Sequence, residues 1–372
     1  MIKIICLISG IFIGDDNNAR GTARSFASLY PTGDVSIAEH KIADSTDSIE
    51  RDIEESITSE QKVTIIAAGN SSIATAKSLK AKYGERIFVS WSAHQLEEGN
   101  LADVAAFDQV AIARGAVSHE ARARLAGKLI ETTGVPHNLL AKDLDDDFEA
   151  LKSKIAVTDR KKILVVLSGD APDSTGTQHL YTSEEALKFA SYIITKAQAE
   201  DCFVYVTNGP RTGKFLIDGI AVDTAAHRSE AEINIPTDPV SSAFIEALTA
   251  DGFRDFQFFD FRYGQQSYYK ALLRICDSIY LPGESISMVS EGSDFKTDVT
   301  VYHTGSMPDS YYREIDVIRV QKSFISVLDT SFVLTPGTDA ALASSFKPAA
   351  QEVAEGIQDK LIERSPGTYL GK

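Results

Sequence analysis

The sequence predicts an α/β protein of two domains, each with a parallel sheet covered by helices on both faces. Short apolar runs alternate with longer amphipathic segments along most of the chain, which is the pattern of strands joined by crossover helices. The apolar runs are continuous rather than alternating with polar residues, so we expect the strands to be buried on both faces. The length of 372 residues exceeds what one ordinary core supports, which favours two domains.

The order of these segments predicts one sheet in each half of the chain. Strands are expected at residues 3–7, 63–67, 87–90, 109–113, 162–167, 203–207, 255–259, 278–281, 299–302 and 315–319. Helices are expected at residues 21–28, 71–83, 119–132, 183–199, 241–251, 266–274 and 348–364. Parallel strands need such crossover helices, so the alternation itself supports the parallel arrangement.

A charged stretch in the middle of the sequence interrupts the alternation. We interpret residues 146–161 as a linker between an N-terminal domain, residues 1–145, and a C-terminal domain, residues 162–340. Residues 341–372 are expected to form a C-terminal helix that packs back onto the first domain. The acidic cluster at residues 143–147 fits a solvated helix start, since acids favour helix N-termini, and a metal site is the alternative.

The composition excludes several classes of protein. A formal net charge of −16 disfavours nucleic-acid binding and broad attachment to anionic lipid. Three scattered cysteines are too few for a disulfide framework or a thiolate metal site, and reduced thiols suit the cytoplasm. No apolar run approaches the length of a transmembrane helix. We therefore expect a soluble, cytoplasmic protein.

Residues that follow the predicted strands are the candidates for ligand contacts, because open parallel sheets bind ligands at their carboxyl ends. Ser168 and Gly169 follow one strand, and a glycine there lets backbone N–H groups approach a phosphate or sugar. Thr207, Asn208 and Arg211 follow the next strand, and an arginine can bind a diphosphate through two hydrogen bonds. Ordinary turns with a solvated cation remain the alternative.

A third strand end carries the most informative segment. The strand at residues 278–281 runs into a Pro-Gly turn, after which Ser285 and Ser287 begin a helix. Serine hydroxyls and free N–H groups at a helix start form an anion site. Glu291 lies one to two turns into the helix, where it can accept hydrogen bonds from ribose hydroxyls. Capping serines with a surface glutamate would explain the same residues.

The segment SISMVSE, residues 285–291, resembles the DSxSMxSE signature of bacterial glycosyltransferases related to the plant mitochondrial-fission protein elongated mitochondria. Residues 207–212 resemble that family's TxSRRTP segment and retain Arg211. Residues 107–112 and 134–138 resemble its FDxVxVP and GxN segments. The resemblance spans residues 5–305, with Glu284 at the position where the family has aspartate.

The resemblance implies a GT-B-like fold, in which two Rossmann-like domains face each other across a cleft. The first domain would hold a cell-envelope or lipid-linked acceptor and the second a nucleotide sugar, which is a substrate rather than a cofactor. No metal is implied, because helix N-termini and cations stabilise the leaving diphosphate. Some attachment at the periphery of the inner membrane is compatible with this function. The implied donor-binding residues are Ser168, Gly169, Thr207, Asn208, Arg211, Glu284, Ser285, Ser287, Met288 and Glu291.

Glycosyl transfer also needs a general base for the acceptor hydroxyl. The candidates are Asp15 and Asp16, in a segment expected to be a loop, and His94, whose pKa range suits the task. Residues expected on the acceptor side are Gly14, Arg20, Gly69, Asn70 and Ser71. A solvated loop and a surface histidine are the alternatives.

Two other functions fit the same scaffold. A non-catalytic adaptor would keep the fold and bind a protein partner, and a sugar-nucleotide epimerase would use the same cleft. The aromatic run in residues 253–269 fits a buried strand and domain packing, or a platform for a base or sugar.

Overall fold

The computed structural model describes residues 1–10, 13–43, 45–172, 177–213, 237–264, 266–296, 298–338 and 347–364. The chain divides into two compact units. The first unit comprises Met1–Leu139 with Lys347–Lys372, and the second comprises Leu140–Phe346. Each unit contains a predominantly parallel sheet with helices, so the predicted α/β class with two Rossmann-like domains is confirmed. Their arrangement about a cleft stays a prediction.

The first unit is built on a sheet whose described strands are all parallel. The strands are β1 (Ile2–Ile8), β2 (Val35–Lys41), β3 (Lys62–Ala68), β4 (Ile87–Ala93), β5 (Gln109–Ala113) and β6 (Leu129–Thr132). The helices between them are α1 (Ile13–Ser28), α2 (Thr46–Thr58), α3 (Ile73–Tyr83), α4 (Leu101–Val104) and α5 (His119–Arg124). The strand order is β2-β1-β3-β4-β5-β6, and Ile4 lies opposite both Ile37 and Thr64.

The second unit has a sheet of the same kind with one antiparallel strand at its edge. Its strands are β7 (Lys161–Val166), β8 (Ala171–Pro172), β9 (Gln178–His179), β10 (Cys202–Thr207), β11 (Phe256–Phe259), β12 (Ser278–Pro282), β13 (Val299–Tyr302), β14 (Ser326–Leu328) and β15 (Leu334–Thr335). Its helices are α6 (Ala141–Leu151), α7 (Ser183–Glu200), α8 (Pro239–Ala250), α9 (Phe261–Gly264), α10 (Gln266–Ile275), α11 (Ile286–Phe295) and α12 (Asp309–Gln321). The main order is β11-β10-β7-β12-β13-β14-β15, while β8 and β9 pair separately.

Alternate residues of β1 enter two different cores. Ile5 and Leu7 belong to a cluster with residues of α2 and α3, whereas Ile4 and Cys6 pack among residues of α1 and of the last helix, α13 (Ala349–Arg364). All four of these side chains are buried. The uninterrupted apolar run in the sequence is therefore explained by burial on both faces of the sheet.

Helix α13 belongs to the first unit although it comes last in the sequence. Its Val353 and Ile357 are buried in the core that covers β1. Glu352 accepts a hydrogen bond from the Thr133 N–H at 2.7 Å, and the Gln109 side chain donates to the Val353 carbonyl at 3.1 Å. Residues 341–346 and 365–372 of the predicted C-terminal segment lie outside the described residues.

Local sequence signals account for several helix boundaries. Helix α7 begins with a capping box, in which the Thr182 hydroxyl accepts from the Glu185 N–H and the Glu185 carboxylate accepts from the Thr182 N–H. Helix α8 begins at Pro239 after Asp238, whose carboxylate accepts the Ser241 N–H at 2.8 Å. A proline suits the first helical position because its missing N–H would have no partner there.

The second unit begins at Leu140, so residues 146–161, assigned above to a linker, belong to that unit. Helix α6 occupies the first part of this stretch and packs against α10. Two aspartates of the acidic cluster pair with cations of α10: Asp145 with Arg274, and Asp147 with Lys270 at 3.4 Å. Two acidic residues of α6 thus pair with the helix against which it packs.

Three secondary-structure predictions are wrong. The strand expected at residues 315–319 lies inside α12, where Ile315 and Ile318 are buried at helical spacing. The helix expected at residues 119–132 stops at Arg124, and Gly127 with φ of 79° leads into β6. Residues 14–21, expected to be a loop, belong to α1, which begins at Ile13 instead of residue 21.

Candidate functional site

Both sheets contain a point where the strand order reverses. In the first unit, β2 and β3 lie on opposite sides of β1, so the connection after β1 and the connection after β3 lead away in opposite directions. In the second unit, β10 and β12 lie on opposite sides of β7. In open parallel sheets, the crevice beyond the carboxyl ends of such strands is the usual ligand site. Each unit therefore has one candidate site, formed by the loops at this point.

In the second unit, the loops after β7, β10 and β12 are joined by direct contacts. The Gly169 N–H donates to Glu284 Oε1 at 2.9 Å, and the Asp170 N–H donates to the Arg211 carbonyl at 3.1 Å. A Cβ atom at Gly169 would lie 2.6 Å from Arg211 Cβ, which is too close for any larger residue. The structure thus brings three of the predicted donor residues, Gly169, Arg211 and Glu284, into one cluster.

Glu284 and Arg211 form the charged centre of this cluster. The Arg211 Nη2 atom lies 3.8 Å from Glu284 Oε1 and donates to the Glu284 carbonyl at 3.4 Å. The side chain of Glu284 is 3% exposed, whereas that of Arg211 is 37% exposed and available to a ligand. Burial raises the pKa of Glu284, while Arg211 and the hydrogen bonds from Gly169 and Ser168 act in the opposite direction.

Hydroxyl groups line the inner side of the cluster. Ser168 Oγ lies 3.4 Å from Ser306 Oγ, and Ser306 Oγ lies 2.9 Å from Thr304 Oγ1. All three side chains are buried. Thr304 and Ser306 follow β13 and were not singled out in the sequence, because isolated hydroxyl residues give no distinctive pattern. Ser168 is thereby held inside the cluster rather than presented at its surface.

Helix α11 begins at this cluster. Ser285 is its N-cap residue and makes no side-chain capping bond, and Ser287 and Met288 in the first turn are half-buried. The N–H groups of a first helical turn have no acceptor within the helix, and they carry the positive end of its dipole. The start of α11 therefore presents anion-binding groups beside Glu284.

The predicted ribose residue, Glu291, lies deeper in the same helix. Its side chain is buried. Burial raises the pKa of Tyr269, and the negative charge of Glu291 adds to that effect, which places the two side chains close together. The Tyr269 hydroxyl donates to the Met288 carbonyl at 3.5 Å. Contact of Glu291 with a ribose stays a prediction.

Thr207 and Asn208 hold the neighbouring loops together. The Thr207 hydroxyl donates to the Phe259 carbonyl at 3.0 Å. Asn208 donates to Asp238 at 3.2 Å and accepts the Phe261 N–H at 2.7 Å. Both side chains are buried, so their described contacts are with the protein itself.

A pocket of about 460 Å³ lies beside β11 in the second unit. Its lining residues are Lys154, Thr237, Gln257, Phe258, Phe259, Asp260, Tyr263 and Tyr268. A small adjoining cavity shares Asp260 and reaches Gly209 and Thr212 in the loop after β10. The aromatic run in the sequence thus contributes both to the core and to the wall of this pocket.

In the first unit, Asp16 closes the turn between β1 and α1. Its Oδ1 atom accepts the Ser9 N–H at 2.6 Å and the Ser9 hydroxyl at 2.9 Å, and its Oδ2 atom accepts the Gly10 N–H at 2.9 Å. The carboxylate is buried in these contacts. Asp16 lies in the first turn of α1, where the positive end of the helix dipole also favours an acid.

Asp15 lies on the other side of this turn and faces Gly69 and His94. A Cβ atom at Gly69 would overlap the Asp15 carboxylate. The pKa of Asp15 is raised to about 6, chiefly by burial and also by the charge of Asp16, while His94 acts in the opposite direction. The structure therefore brings together two of the three predicted base candidates, Asp15 and His94, at the ends of β1 and β4.

The predicted acceptor-side residues separate into two groups. Gly69 adopts φ of 72°, and its carbonyl accepts from the Trp91 indole at 3.0 Å. Asn70 donates to Glu97 at 2.7 Å, and the enclosed Ser71 hydroxyl has no hydrogen-bond partner among the described residues. Gly69 lies against the Asp15 carboxylate, and Asn70 and Ser71 follow it directly in the chain.

The other acceptor-side residues, Gly14 and Arg20, lie on α1. Gly14 is exposed, and Arg20 pairs at 2.8 Å with Glu39 on the edge strand β2. Sequence reasoning missed Asn18, whose side chain accepts the Ser92 hydroxyl at 2.6 Å in the same crevice. A buried polar residue in α1 was not recognised because that segment was assigned to a loop.

Two classes of feature do not occur in the described part of the chain. Its side chains include no group of three or more His, Cys, Asp or Glu residues arranged to hold a metal ion. No helix there has the length and apolar character needed to cross a bilayer.

The model of the family described as Mitochondrial fission ELM1 matches residues 14–235, which is more than half of the chain. None of the curated proteins matches the sequence. The match begins in α1, so it includes strands β2 to β6 of the first unit but not β1, and in the second unit it extends beyond β10.

Several solved structures are similar to the chain at low identity. One is assigned as a UDP-N-acetylglucosamine 2-epimerase from Listeria monocytogenes, with 11% identity, coverage of 99% of this chain and 97% of that chain, and a TM-score of 0.47. MurG from Acinetobacter baumannii has 10% identity, coverage of 98% and 100%, and a TM-score of 0.43. The ADP-heptose LPS heptosyltransferase II of E. coli has 11% identity, coverage of 98% and 99%, and a TM-score of 0.40. None of these similarities assigns a substrate or an activity to the chain.

Proposed function

The chain belongs to the mitochondrial fission ELM1 family, and we propose that it is a glycosyltransferase that moves a sugar from a nucleotide-sugar donor to an acceptor. The observation that carries the proposal is the convergence of Gly169, Arg211 and the start of α11 where the second sheet reverses its order. These groups are suited to a diphosphate, and a diphosphate is the leaving group of such a donor.

The donor diphosphate would bind between Arg211 and the first turn of α11. The guanidinium offers paired hydrogen bonds, and Ser285 and Ser287 offer hydroxyls beside free N–H groups. As the bond to the sugar breaks, negative charge grows on the diphosphate, and the same groups stabilise it. This assignment requires no metal ion.

The nucleotide base is assigned to the aromatic pocket beside β11. The half-buried ring of Tyr263 would stack on the base. Phe259 and Tyr268 are buried in the wall of the pocket, and Asp260 is paired with Arg262 at 2.6 Å. The adjoining cavity reaches the loop that carries Arg211. The Tyr263→Ala variant should therefore weaken binding of a nucleoside diphosphate more than binding of inorganic pyrophosphate.

Asp15 is the proposed general base, with His94 as its neighbour. A pKa of about 6 leaves Asp15 ionised at neutral pH but more basic than an ordinary aspartate. It would take the proton of the acceptor hydroxyl while the donor bond breaks. We assign the acceptor to the cell-envelope or lipid-linked saccharides, as the resemblance of residues 285–291 implies.

The experiment is a thermal-shift panel of nucleoside diphosphates and nucleotide sugars without added metal. A ligand that binds only the folded protein must raise its melting temperature. We expect stabilisation by one base family, reduced in Arg211→Ala and Ser287→Ala and retained in Arg254→Ala, which removes an exposed arginine of the same unit. Mass spectrometry of the products then identifies the transferred sugar. No stabilisation by any nucleotide would refute the donor site.

One observation favours a non-catalytic adaptor as the second candidate. Arg211 already faces the buried acid Glu284, so its charge is partly neutralised before any ligand arrives. An adaptor would show a stable protein partner, no turnover and no response to nucleotides. The same thermal-shift panel separates the two functions.

A further inference from the structure

Glu284 is a buried acid whose carboxylate interacts electrostatically with residues of several strands, helices and loops. The groups that act on its carboxylate, or on which it acts, are Ser168 and Gly169 after β7, Arg211 after β10, Tyr181 before α7, Tyr302 on β13 and Tyr311 on α12. Two further acids, Glu185 and Glu314, act on these tyrosines. Arg211 is the one cation in this set, and its positive charge favours the ionised form of Glu284.

The Glu284 carboxylate already faces the guanidinium that a bound anion would use. Its Oε1 atom accepts the Gly169 N–H at 2.9 Å and lies 3.8 Å from Arg211 Nη2. Arg211 is also the cation that the proposed donor site would offer to a phosphate oxygen. A second anion placed beside Arg211 would face the negative charge of Glu284 across a poorly solvated space, where repulsion is strong.

Protonation of Glu284 removes this repulsion without breaking a described hydrogen bond. Its second oxygen, Oε2, is enclosed and has no hydrogen-bond partner among the described residues. A proton on Oε2 therefore disrupts no described hydrogen bond, and Oε1 can keep its bond from Gly169. Burial already raises the pKa of Glu284 towards this state.

We propose that Glu284 is the internal counter-ion of Arg211, and that an anionic ligand replaces it in this role with the uptake of one proton by Glu284. The inference rests on the proposed function, because it concerns the same anion site. The proton comes from solvent and remains on the carboxyl group until the ligand leaves. Glu284 is thus a positioning residue that holds Arg211 in place in the empty site and sets the pH dependence of binding.

The affinity for the anion should fall as pH rises, because the anion replaces Glu284 as the partner of Arg211. A bound anion removes the stabilising influence of Arg211 and adds negative charge, so the pKa of Glu284 rises on binding. At any pH between the pKa of Glu284 in the free protein and its pKa in the complex, Glu284 takes up a proton when the anion binds. Affinity then falls by up to about tenfold for each unit of rising pH.

The test uses sulfate as the probe, because sulfate keeps its double negative charge throughout the working range. Its Kd is measured by thermal shift from pH 5.5 to 8.5 at constant ionic strength, with chloride as the balancing ion. The wild type is compared with Glu284→Gln, with Arg211→Ala, and with Glu246→Gln, which removes an exposed acid of the same unit.

We expect wild type and Glu246→Gln to lose sulfate affinity as pH rises, and Glu284→Gln to bind sulfate with little pH dependence. Equal slopes in wild type and Glu284→Gln, with binding still dependent on Arg211, would overturn the inference and leave the anion site intact. Failure of sulfate to bind wild type at any pH, or unchanged binding in Arg211→Ala, would overturn the proposed anion site as well.

A second measurement keeps the proposal testable if Glu284→Gln does not fold. Sulfate is added to unbuffered wild-type protein in a pH-stat, and the acid needed to hold the pH is recorded. Uptake of up to one proton per bound sulfate, absent in Arg211→Ala, supports the exchange. No uptake at any pH between 5.5 and 8.5 overturns it.

Discussion

The Asp15 carboxylate packs directly on the α-carbon of Gly69, with no space for a Cβ atom between them. Asp15 follows β1 and Gly69 follows β3, so this contact joins the two strand ends at the point where the first sheet reverses its order. The base candidate is therefore positioned by a backbone surface, and its placement depends on the absence of a side chain at Gly69.

The Gly69→Ala variant should destabilise the first unit through both strain and overlap. Gly69 (φ 72°, ψ 164°) and Gly84 (φ 57°, ψ −129°) both have backbone conformations that disfavour a side chain, so an alanine is strained at either position by about 1–3 kcal/mol. Only at Gly69 would the new methyl group also meet a carboxylate, since nothing lies within 4 Å at Gly84. We expect a clearly larger fall in melting temperature for Gly69→Ala. Equal falls in the two variants would contradict the contact.

Asp15 should make stability depend on pH in a defined window. Its pKa is raised from 3.8 to about 6, so the folded state favours the protonated form. The resulting contribution to stability is fully present below pH 3.8 and is lost as pH rises to about 6. Asp15→Asn should therefore be more stable than wild type above pH 6, by at most about 3 kcal/mol, with no gain at low pH.

The measurement for Asp15 is the difference in melting temperature between variant and wild type from pH 3.5 to 8. The control is Asp34→Asn, an exposed aspartate of the same unit. Its difference from wild type should stay flat with pH. A flat difference for Asp15→Asn as well would show that the folded protein does not raise the pKa of Asp15.

The raised pKa of Asp15 also predicts how the rate of the transfer reaction depends on pH. If Asp15 takes the acceptor proton, kcat should rise with pH and level off above about 6, where the carboxylate is ionised. Asp15→Asn should lower kcat by about 10²–10⁴-fold and abolish this limb of the profile. Nucleotide binding to the second unit should be unaffected. A limb that persists in Asp15→Asn would assign the base to another residue.

The Gly169→Ala variant should disturb the anion site specifically. Its Cβ atom would lie 2.6 Å from Arg211 Cβ and would push the two loops apart. At Gly209, in the loop that carries Arg211, the nearest atom to an added Cβ is 3.9 Å away, so Gly209→Ala is the matched control. Because small displacements of positioned groups are costly, we expect nucleotide affinity to fall about tenfold or more in Gly169→Ala. Isothermal titration calorimetry of both variants measures their nucleotide affinity, and an equal affinity in the two variants would contradict the prediction.

Helix α11 should also depend on a buried cation behind it. Lys322 is almost fully buried, pairs with Asp294 and donates to Ser293 Oγ at 2.8 Å. Lys322→Met would leave the Asp294 charge without this partner and should cost about 3–5 kcal/mol of unfolding free energy. Lys347→Met, which breaks an exposed pair with Glu355, should cost no more than about 1 kcal/mol. Urea unfolding compares the two, and similar losses would contradict the buried pair.

The fold was largely predictable because buried parallel strands leave continuous apolar runs. The edge strand β2 was missed because its side chains are mostly exposed, so its residues are not continuously apolar. The start of α1 was misassigned for the opposite reason. Its polar residues, including Asp16 and Asn18, are buried at the end of the sheet rather than exposed in a loop.

The candidate site was predictable only in part. Strand ends in the sequence indicated Asp15, His94, Gly169 and Arg211, because the rule that links strand ends to ligands needs no knowledge of contacts. The hydrogen bond between Gly169 and Glu284 joins residues 115 positions apart, and nothing in the sequence specifies it. Roles for these residues stay predictions until ligands are bound.

Helix α13 has a consequence for how the protein is made. The face of β1 that carries Ile4 and Cys6 is covered by the last described helix, whereas the second unit is one continuous stretch of chain. During synthesis the second unit can complete its core while the first still exposes apolar surface. Such surface favours aggregation, so a ribosome-bound chain should need chaperone protection until α13 emerges.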